Sequence, residues 1–365
     1  MIQKKSKCSD QLRCAFYTFL GQRRSRKLLA FALKARYRTS KVRFPVNIYE
    51  TKEILIILPE QHLDVLHQLK NVISLIKLFK HATVSIVCEH STSSYIKMIP
   101  GLNIIEYDRQ ENVSFSASLV KEIRELNHID ICFLLIKNPD LPLLYLAGAS
   151  GADIRTGYCE SGGFPFLNLQ IRPDTNKKYL TDWNCSIAKL FGASPEDVRW
   201  SVARKTIDEI NHLLKELKIE KNVHLIGIDV AFLLNQFGNS WTEILIQNLK
   251  KLNPGQLYFY IEEKFPSSQL QWVQKQNIPF LGNLSASRTA ALISRSRLVI
   301  TGNTMIYALA SLLKKPAVGF FRDDEIEMYC PQTANLMGIP YKTVSEEMVF
   351  QTITLIASLK DKRKV

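Results

Sequence analysis

The first 44 residues contain a single acid, Asp10, against 13 lysines and arginines. The rest of the 365-residue chain carries 35 basic and 33 acidic residues and is close to neutral. A body without a basic surface argues against a nucleic-acid enzyme with a charged cleft, and for a basic arm attached to a neutral machine. Long apolar runs are missing as well: the longest in the arm, 28–33, is far short of the roughly 20 residues a spanning helix needs. Charges interrupt any signal-peptide core. Seven scattered cysteines with no CxxC spacing indicate neither a disulfide framework nor a structural zinc, and a reducing cytoplasm is expected. The seven histidines all precede residue 225 and form no HExxH, so no metal is expected. No GxGxxG follows a strand, and GxxxxGK[ST] and GxSxG do not occur. The dinucleotide, P-loop and serine-elbow readings therefore lose their main support.

What is present is organised. Within the arm, Leu12, Phe16, Phe19 and Leu20, then Leu28, Leu29, Ala32 and Leu33, recur at roughly helical spacing among the bases. Such a segment suits an anionic membrane surface, and equally a solvated tail or a helix packed on the body. The length fits two domains. The expected division is a basic amphipathic arm at 1–46, a first domain at 47–195, a second at 196–342, and a closing helix with a basic tail at 343–365.

In the first domain EILIIL is a continuous apolar run of strand length. The segment after it sets Val65, Leu69, Val72, Ile76 and Phe79 at alternating spacings of four and three, one buried helix face. ATVSIVCE and LNIIEYD (strands), SASLVKEIRELN (helix), IDICFLLIK (strand) and the helix from Asp140 follow, and Gly148 to Gly151 reads as that helix's end. GYCESGGFPF at 157–166 reads as a Gly-rich turn, leading to a mostly helical stretch at about 176–218. A second alternation then runs from VHLIGIDV through the helix WTEILIQNLKKL, LYFYIEE, SSQLQWVQKQ, PFLG and SRTAALISRS to RLVITG. Strands alternating with helices predict parallel sheets covered on both faces, an α/β fold of two doubly wound units in series.

Two positions stand out. Asp64 lies where the first strand's loop enters a helix, so its expected local role is an N-cap. The same place is the carboxyl edge of a parallel sheet, where a carboxylate can take a proton from a hydroxyl, and the two roles are compatible. The stretch VITGNTMIYALASLLKKPAVGFF predicts strand, turn at Gly302-Asn303-Thr304, helix from Met305 and strand. Its helix start aims backbone N–H groups outward, a geometry suited to phosphate.

Four segments in order give the chain a resemblance to the family 9 glycosyltransferases, the bacterial ADP-heptose:lipopolysaccharide heptosyltransferases. ILIILPEQHLDVLHQLK is similar to the family's first strand and leucine-glycine-aspartate turn, and IDICFLLIKNPDLPLLYLAGASGADIRTGY to its hydrophobic strand and LAGA…RIGY segment. LSASRTAALISRSRLVITGN resembles the donor-side helix and strand, and the stretch after it the G-D-T-G-P-M-H turn. The match covers roughly residues 53–330.

The resemblance implies two Rossmann-like domains facing across a cleft (GT-B), the first holding the acceptor and the second the nucleotide sugar. It implies that Asp64 is the base activating the acceptor hydroxyl for inverting attack. Gly302, Asn303, Thr304 and Met305 would receive the donor's diphosphate, Glu262 or Glu263 its ribose, and Trp241 matches the Trp of the family's Lys-x-Trp segment. No metal and no cofactor is implied; the donor is a nucleotide diphosphate sugar, ADP-linked. The acceptor is a glycolipid or envelope saccharide, with residues 1–44 on an anionic membrane, the inner face of the bacterial inner membrane. No nucleic-acid partner is expected.

The sequence also departs from that pattern. The donor turn's Asp is Asn303, its Gly-Pro-Met-His is Met305-Ile306-Tyr307-Ala308, the Lys before Trp241 is Asn239, and the Gly before Asp64 is Leu63. The side chain at Met305 stands where backbone would need to approach phosphate closely, and the loss of the Lys removes a positive charge that would stabilise a leaving diphosphate. Arg322 is a candidate replacement, or a solvated surface arginine. A divergent transferase and a catalytically degenerate GT-B-fold binding or scaffold protein both remain open.

Overall fold

Leu55, Ile56, Ile57 and Leu58 are completely enclosed, as expected where a strand has neighbours on both edges and helices on both faces. The computed structural model describes residues 42, 46–108, 117–159, 163, 165–173, 179–195, 200–219, 225–252, 256–261, 266–282, 284–331, 333, 335–345, 347 and 351. The amphipathic arm, the Glu262–Glu263 pair, the centre of GYCESGGFPF and nearly all of the closing helix lie outside the described residues. The chain divides into two compact units. The described part of the first reaches residue 173 and resumes at 183–195; the second holds 179–182 and the described residues from 200 onward.

In the first unit the elements are β1 (Glu53–Ile57), α1 (His62–Leu78), β2 (Thr83–Glu89), α2 (Ser93–Ile96), β3 (Asn103–Tyr107), α3 (Ala117–Glu125), β4 (Ile131–Leu134), α4 (Leu141–Ala149), β5 (Ile154–Tyr158) and β6 (Leu169–Ile171). Two short helices follow in the chain, α5 (Leu180–Asn184), of which residues 183 and 184 belong to this unit, and α6 (Ser186–Leu190). The sheet is parallel throughout, in the order β3-β2-β1-β4-β5-β6. Val65, Leu69, Val72 and Phe79 are buried, and so are Leu66 and Leu75, so the apolar face of α1 is broader than one stripe. Helix α4 is capped by Asp140, whose carboxylate accepts from the Leu143 amide at 3.1 Å, and the chain leaves it through Gly151 at φ 72°.

The second unit comprises α7 (Arg204–Glu216), β7 (Leu225–Asp229), α8 (Val230–Leu252), β8 (Gln256–Ile261), α9 (Ser267–Lys275), β9 (Phe280–Gly282), α10 (Ala286–Arg295), β10 (Ser296–Gly302), α11 (Met305–Leu312), β11 (Ala317–Phe321), α12 (Asp323–Tyr329) and β12 (Leu336–Pro340). Its parallel sheet runs β12-β11-β10-β7-β8-β9. Counted from β7, this is the same 3-2-1-4-5-6 order as in the first unit, so the Rossmann winding occurs twice. Each winding reverses direction at one point, between β1 and β4 and between β7 and β10, where the connections leaving two neighbouring strands run in opposite directions.

Three expectations are corrected. The Gly-rich segment at 157–166 is not all turn: Gly157 and Tyr158 end strand β5, which pairs in parallel with β4 and β6. The strand expected to run through Val230 stops at Asp229, because the Asp229 carboxylate accepts from the Phe232 amide at 3.1 Å and starts a helix there. That helix continues to Leu252 across a break at Gly238, φ 78°, so it contains eleven residues before the expected start at Trp241. Asp64 is not the N-cap of α1: Gln61 occupies that position, in extended conformation, and Asp64 sits in the first turn.

Candidate active-site residues in the two units

In the first unit the ladders of β1 continue past its end: the Leu58 amide donates to the Val87 carbonyl and the Leu135 amide to the Ile57 carbonyl, both at 3.0 Å. These bonds hold the loops after β1 and β4 beside one another at the reversal point. The first loop delivers half-buried Asp64 on α1, and the second delivers exposed Lys137. Burial pushes the Asp64 carboxyl above its ordinary value, and the Lys137 charge draws it partly back.

The Lys137 ammonium lies 5.2 Å from the centroid of the Trp183 ring, and that ring is 4.2 Å from the ring of Tyr158, tilted by 33°. The Tyr158 hydroxyl, fully enclosed, donates to the Asn184 carbonyl at 2.8 Å and receives the Gln68 amide at 3.3 Å. Gln68 lies one turn beyond Asp64 on the same helix face. Asn71 donates to Gln68 at 3.1 Å and accepts from the Ala188 amide at 3.3 Å. Next to Gln68, His67 is buried and uncharged, burial lowering its imidazole pKa to about 4.

In the second unit the reversal point is built around Asp229, 2% exposed. Its Oδ2 accepts from the Thr301 hydroxyl at 2.7 Å and the Thr304 hydroxyl at 3.3 Å, and its Oδ1 from the Phe232 amide at 3.1 Å. Thr304 is the N-cap of α11 and accepts from the Ile306 amide at 3.3 Å. Thr304 thus serves the expected turn, with its hydroxyl already bonded internally. Asn303 and Met305 are half-buried beside it, and Ala308 is enclosed. Gly302 ends β10 against the Phe232 ring, which fills the space a Cβ would need.

Trp241 packs 4.4 Å from Phe237 and edge-on to Phe320 at 5.8 Å, a partly buried member of an aromatic group that includes Phe232 and Tyr341. Asn239 is exposed just beyond the Gly238 break. Arg322 binds Glu325 at 2.9 Å and reaches Asp324 at 3.6 Å; its charge is directed to its own helix start, in line with the surface reading.

Asp64 and Lys137 in one unit, and Gly302, Thr304 and Asp229 in the other, thus cluster at the two reversal points. Reasoning from the sequence missed Lys137, Trp183, Asp229 and Thr301. Asp229 carried a usable signal, an acid between an apolar strand and an apolar helix. Among the described residues one group has metal-ligand spacing: His128, Asp130 and Asp153, with ligand atoms within 4.8 Å of one another. It precedes β4 and β5, at the opposite edge from Asp64, and Asp130 accepts from the amides of Lys52 and Glu53 at 2.6 and 3.0 Å.

No protein-family model and no curated protein matches the sequence. Solved structures do match in fold. A family 9 glycosyl transferase from Veillonella parvula is 16% identical with a TM-score of 0.71, covering 86% of this chain and 99% of its own. The ADP-heptose lipopolysaccharide heptosyltransferase II of E. coli is 12% identical with a TM-score of 0.66, covering 85% and 99%. An E. coli heptosyltransferase solved with ADP-2-deoxy-2-fluoro heptose is 14% identical with a TM-score of 0.60, covering 83% and 99%. The chain therefore has the fold of these glycosyltransferases.

Proposed function

We propose that the chain is an inverting glycosyltransferase that moves a heptose-like sugar from a nucleotide diphosphate sugar, ADP-linked, to a lipopolysaccharide or other envelope glycan. The observation that carries the reading is Asp64: a half-buried carboxylate in the first turn of α1, at the reversal point of a Rossmann winding, with its pKa raised toward working pH. In this reaction Asp64 takes the proton of an acceptor hydroxyl as that oxygen bonds to the sugar's anomeric carbon. The bond from that carbon to the diphosphate oxygen breaks, and its electron pair leaves with the nucleoside diphosphate. Gly302, Asn303, Thr304 and Met305, at the start of α11, receive the departing phosphates, with Trp241 and Glu262 or Glu263 toward the nucleoside. The basic segment at 1–44 holds the protein on the inner face of an anionic membrane. Among the described residues no helix is long and apolar enough to cross one.

The test is incubation of the purified protein with a panel of nucleotide sugars and envelope saccharides, followed by mass spectrometry for transfer or hydrolysis. Asp64→Asn is expected to lower turnover at least about 100-fold, the usual contribution of a general base. Full turnover in that variant removes the mechanism.

A second reading, a catalytically degenerate binding or scaffold protein, is favoured by Asp229. A buried carboxylate bonded to Thr304 places negative charge where a diphosphate would be received. Calorimetry with ADP and UDP separates the readings, since no binding to either supports the second.

A further inference from the structure

Asp64 and Lys137 follow neighbouring strands whose ends are joined by the Leu135 amide donating to the Ile57 carbonyl at 3.0 Å, and a chain of packed groups leads from the helix of one to the side chain of the other. One turn along α1 leads to Gln68, whose amide donates to the Tyr158 hydroxyl. The Tyr158 ring packs on Trp183, the Trp183 ring carries the Lys137 ammonium, and the Lys137 charge acts on Asp64. The residue beside Trp183 is tied down twice: the Asn184 carbonyl accepts from Tyr158 at 2.8 Å, and its amide donates to the His67 carbonyl at 3.2 Å. A lysine at the tip of an exposed loop ordinarily samples many rotamers and interacts weakly with a nearby carboxylate. Here its head group is seated on an aromatic face that is itself fixed by buried hydrogen bonds.

We infer that Lys137, held over the Trp183 ring on the loop beside that of Asp64, is a positioning residue whose ammonium favours the charged form of the Asp64 carboxylate before an acceptor arrives. The inference rests on Asp64 being the general base. Several other ionisable groups on the surrounding elements have partners of their own. Glu60 accepts from the Tyr107 hydroxyl at 3.2 Å, and His62 shares a hydrogen bond with Tyr95 at 3.2 Å. His90 pairs with Glu106, and Asp140 caps α4. His67 is neutral and the Tyr158 phenol enclosed. Lys137 is the cation whose field acts on Asp64.

The experiment is a pH titration of the full chain labelled with carboxyl-¹³C aspartate, with Asp64→Asn identifying the Asp64 resonance. Lys137→Met is expected to move the Asp64 midpoint upward, Lys137→Arg to leave it close to wild type, and Trp183→Leu to move it upward by less than Lys137→Met. Because Lys137 is exposed, its replacement leaves the core intact. An Asp64 midpoint identical in wild type and Lys137→Met overturns the inference. In transfer assays the acid limb of the kcat/KM profile is expected to move with the midpoint in Lys137→Met and return with Lys137→Arg. A midpoint that moves in a protein that turns over no nucleotide sugar preserves the pairing and removes the transferase reading. Turnover that requires Asp64, with a midpoint indifferent to Lys137, removes the positioning role alone.

Discussion

The Thr301 hydroxyl donates to the Asp229 carboxylate at 2.7 Å, tying the carboxyl end of β10 to that of β7. The two residues lie on adjacent parallel strands, at the point where the winding reverses. Both are buried, and Asp229 accepts two further bonds, from the Phe232 amide and the Thr304 hydroxyl. One carboxylate thereby serves the starts of both α8 and α11. A buried acid is tolerated when its oxygens are this well supplied with donors.

Thr301→Val keeps the shape of the side chain and removes its hydroxyl, leaving Asp229 Oδ2 with the longer Thr304 bond. Loss of about 1–3 kcal/mol of stability is expected, the cost of leaving a buried polar group short of a partner. A lower urea midpoint with an unchanged slope would record it; a midpoint equal to wild type would show that water or Thr304 replaces the bond.

Asp229→Asn retains an acceptor oxygen for the Phe232 amide and deletes the charge. A negative charge near a helix start offsets its dipole by on the order of 1 kcal/mol, so ADP or UDP is expected to bind the variant about fivefold more tightly than wild type. Calorimetry on the two proteins checks this, and a weaker affinity in the variant would mean that Asp229 helps to organise the site.

Gly302 is demanded by packing as well as by the turn, since the Phe232 ring occupies the space its Cβ would take. Gly302→Ala is expected to cost about 1–3 kcal/mol through overpacking. Phe232→Leu in the same chain gives the methyl group room and should recover much of that loss. Urea unfolding of the two single variants and the double variant measures the coupling; strictly additive losses would show that the ring yields freely.

The resemblance implies that Gly302 lies near phosphate, and only the fold brings the Phe232 ring against it. The central strands were legible because burial on two faces favours apolar residues: the buried parts of β1 (Ile54 to Ile57) and β10 (Leu298 to Ile300), and all of β4 and β11, carry no charged, hydroxyl or amide side chain. Strand β5 was not, since it contains Arg155, Thr156 and Gly157. The Arg155 guanidinium is buried and donates to the carbonyls of Phe166 at 2.9 Å and Ala152 at 2.6 Å, a role that composition does not announce. The first half of α8 was lost to its neighbour: VAFLLNQF follows an apolar strand directly, and only Asp229 marks the change of period. At the site, Asp64 was found because its distance from β1 fixes its place at the sheet edge. The same rule applied to β4 would have found Lys137. Trp183 carries no such signal, because it reaches the site through a short helix remote in sequence from the strands it serves.

Stability is also expected to depend on pH through His67. The imidazole pKa is about 4 in the folded chain against an ordinary 6.5, the lowering caused by burial. Between those values the unfolded chain binds a proton that the native chain does not, so unfolding becomes easier as pH falls from about 6.5 toward about 4. For one proton the slope approaches about 1.4 kcal/mol per pH unit. Below the folded value both states are protonated and this contribution levels off. Asp64 acts in the opposite sense: with its folded pKa raised above the ordinary 3.8, the native state holds a proton the unfolded state has released, a gain that fades as pH rises through that folded value. His67→Gln removes the first contribution and leaves the second, so the difference between the urea stabilities of wild type and variant isolates His67. That difference is expected to change steadily across the window; two curves that stay parallel from neutral pH to about pH 4 would mean that His67 finds a way to charge inside the folded protein.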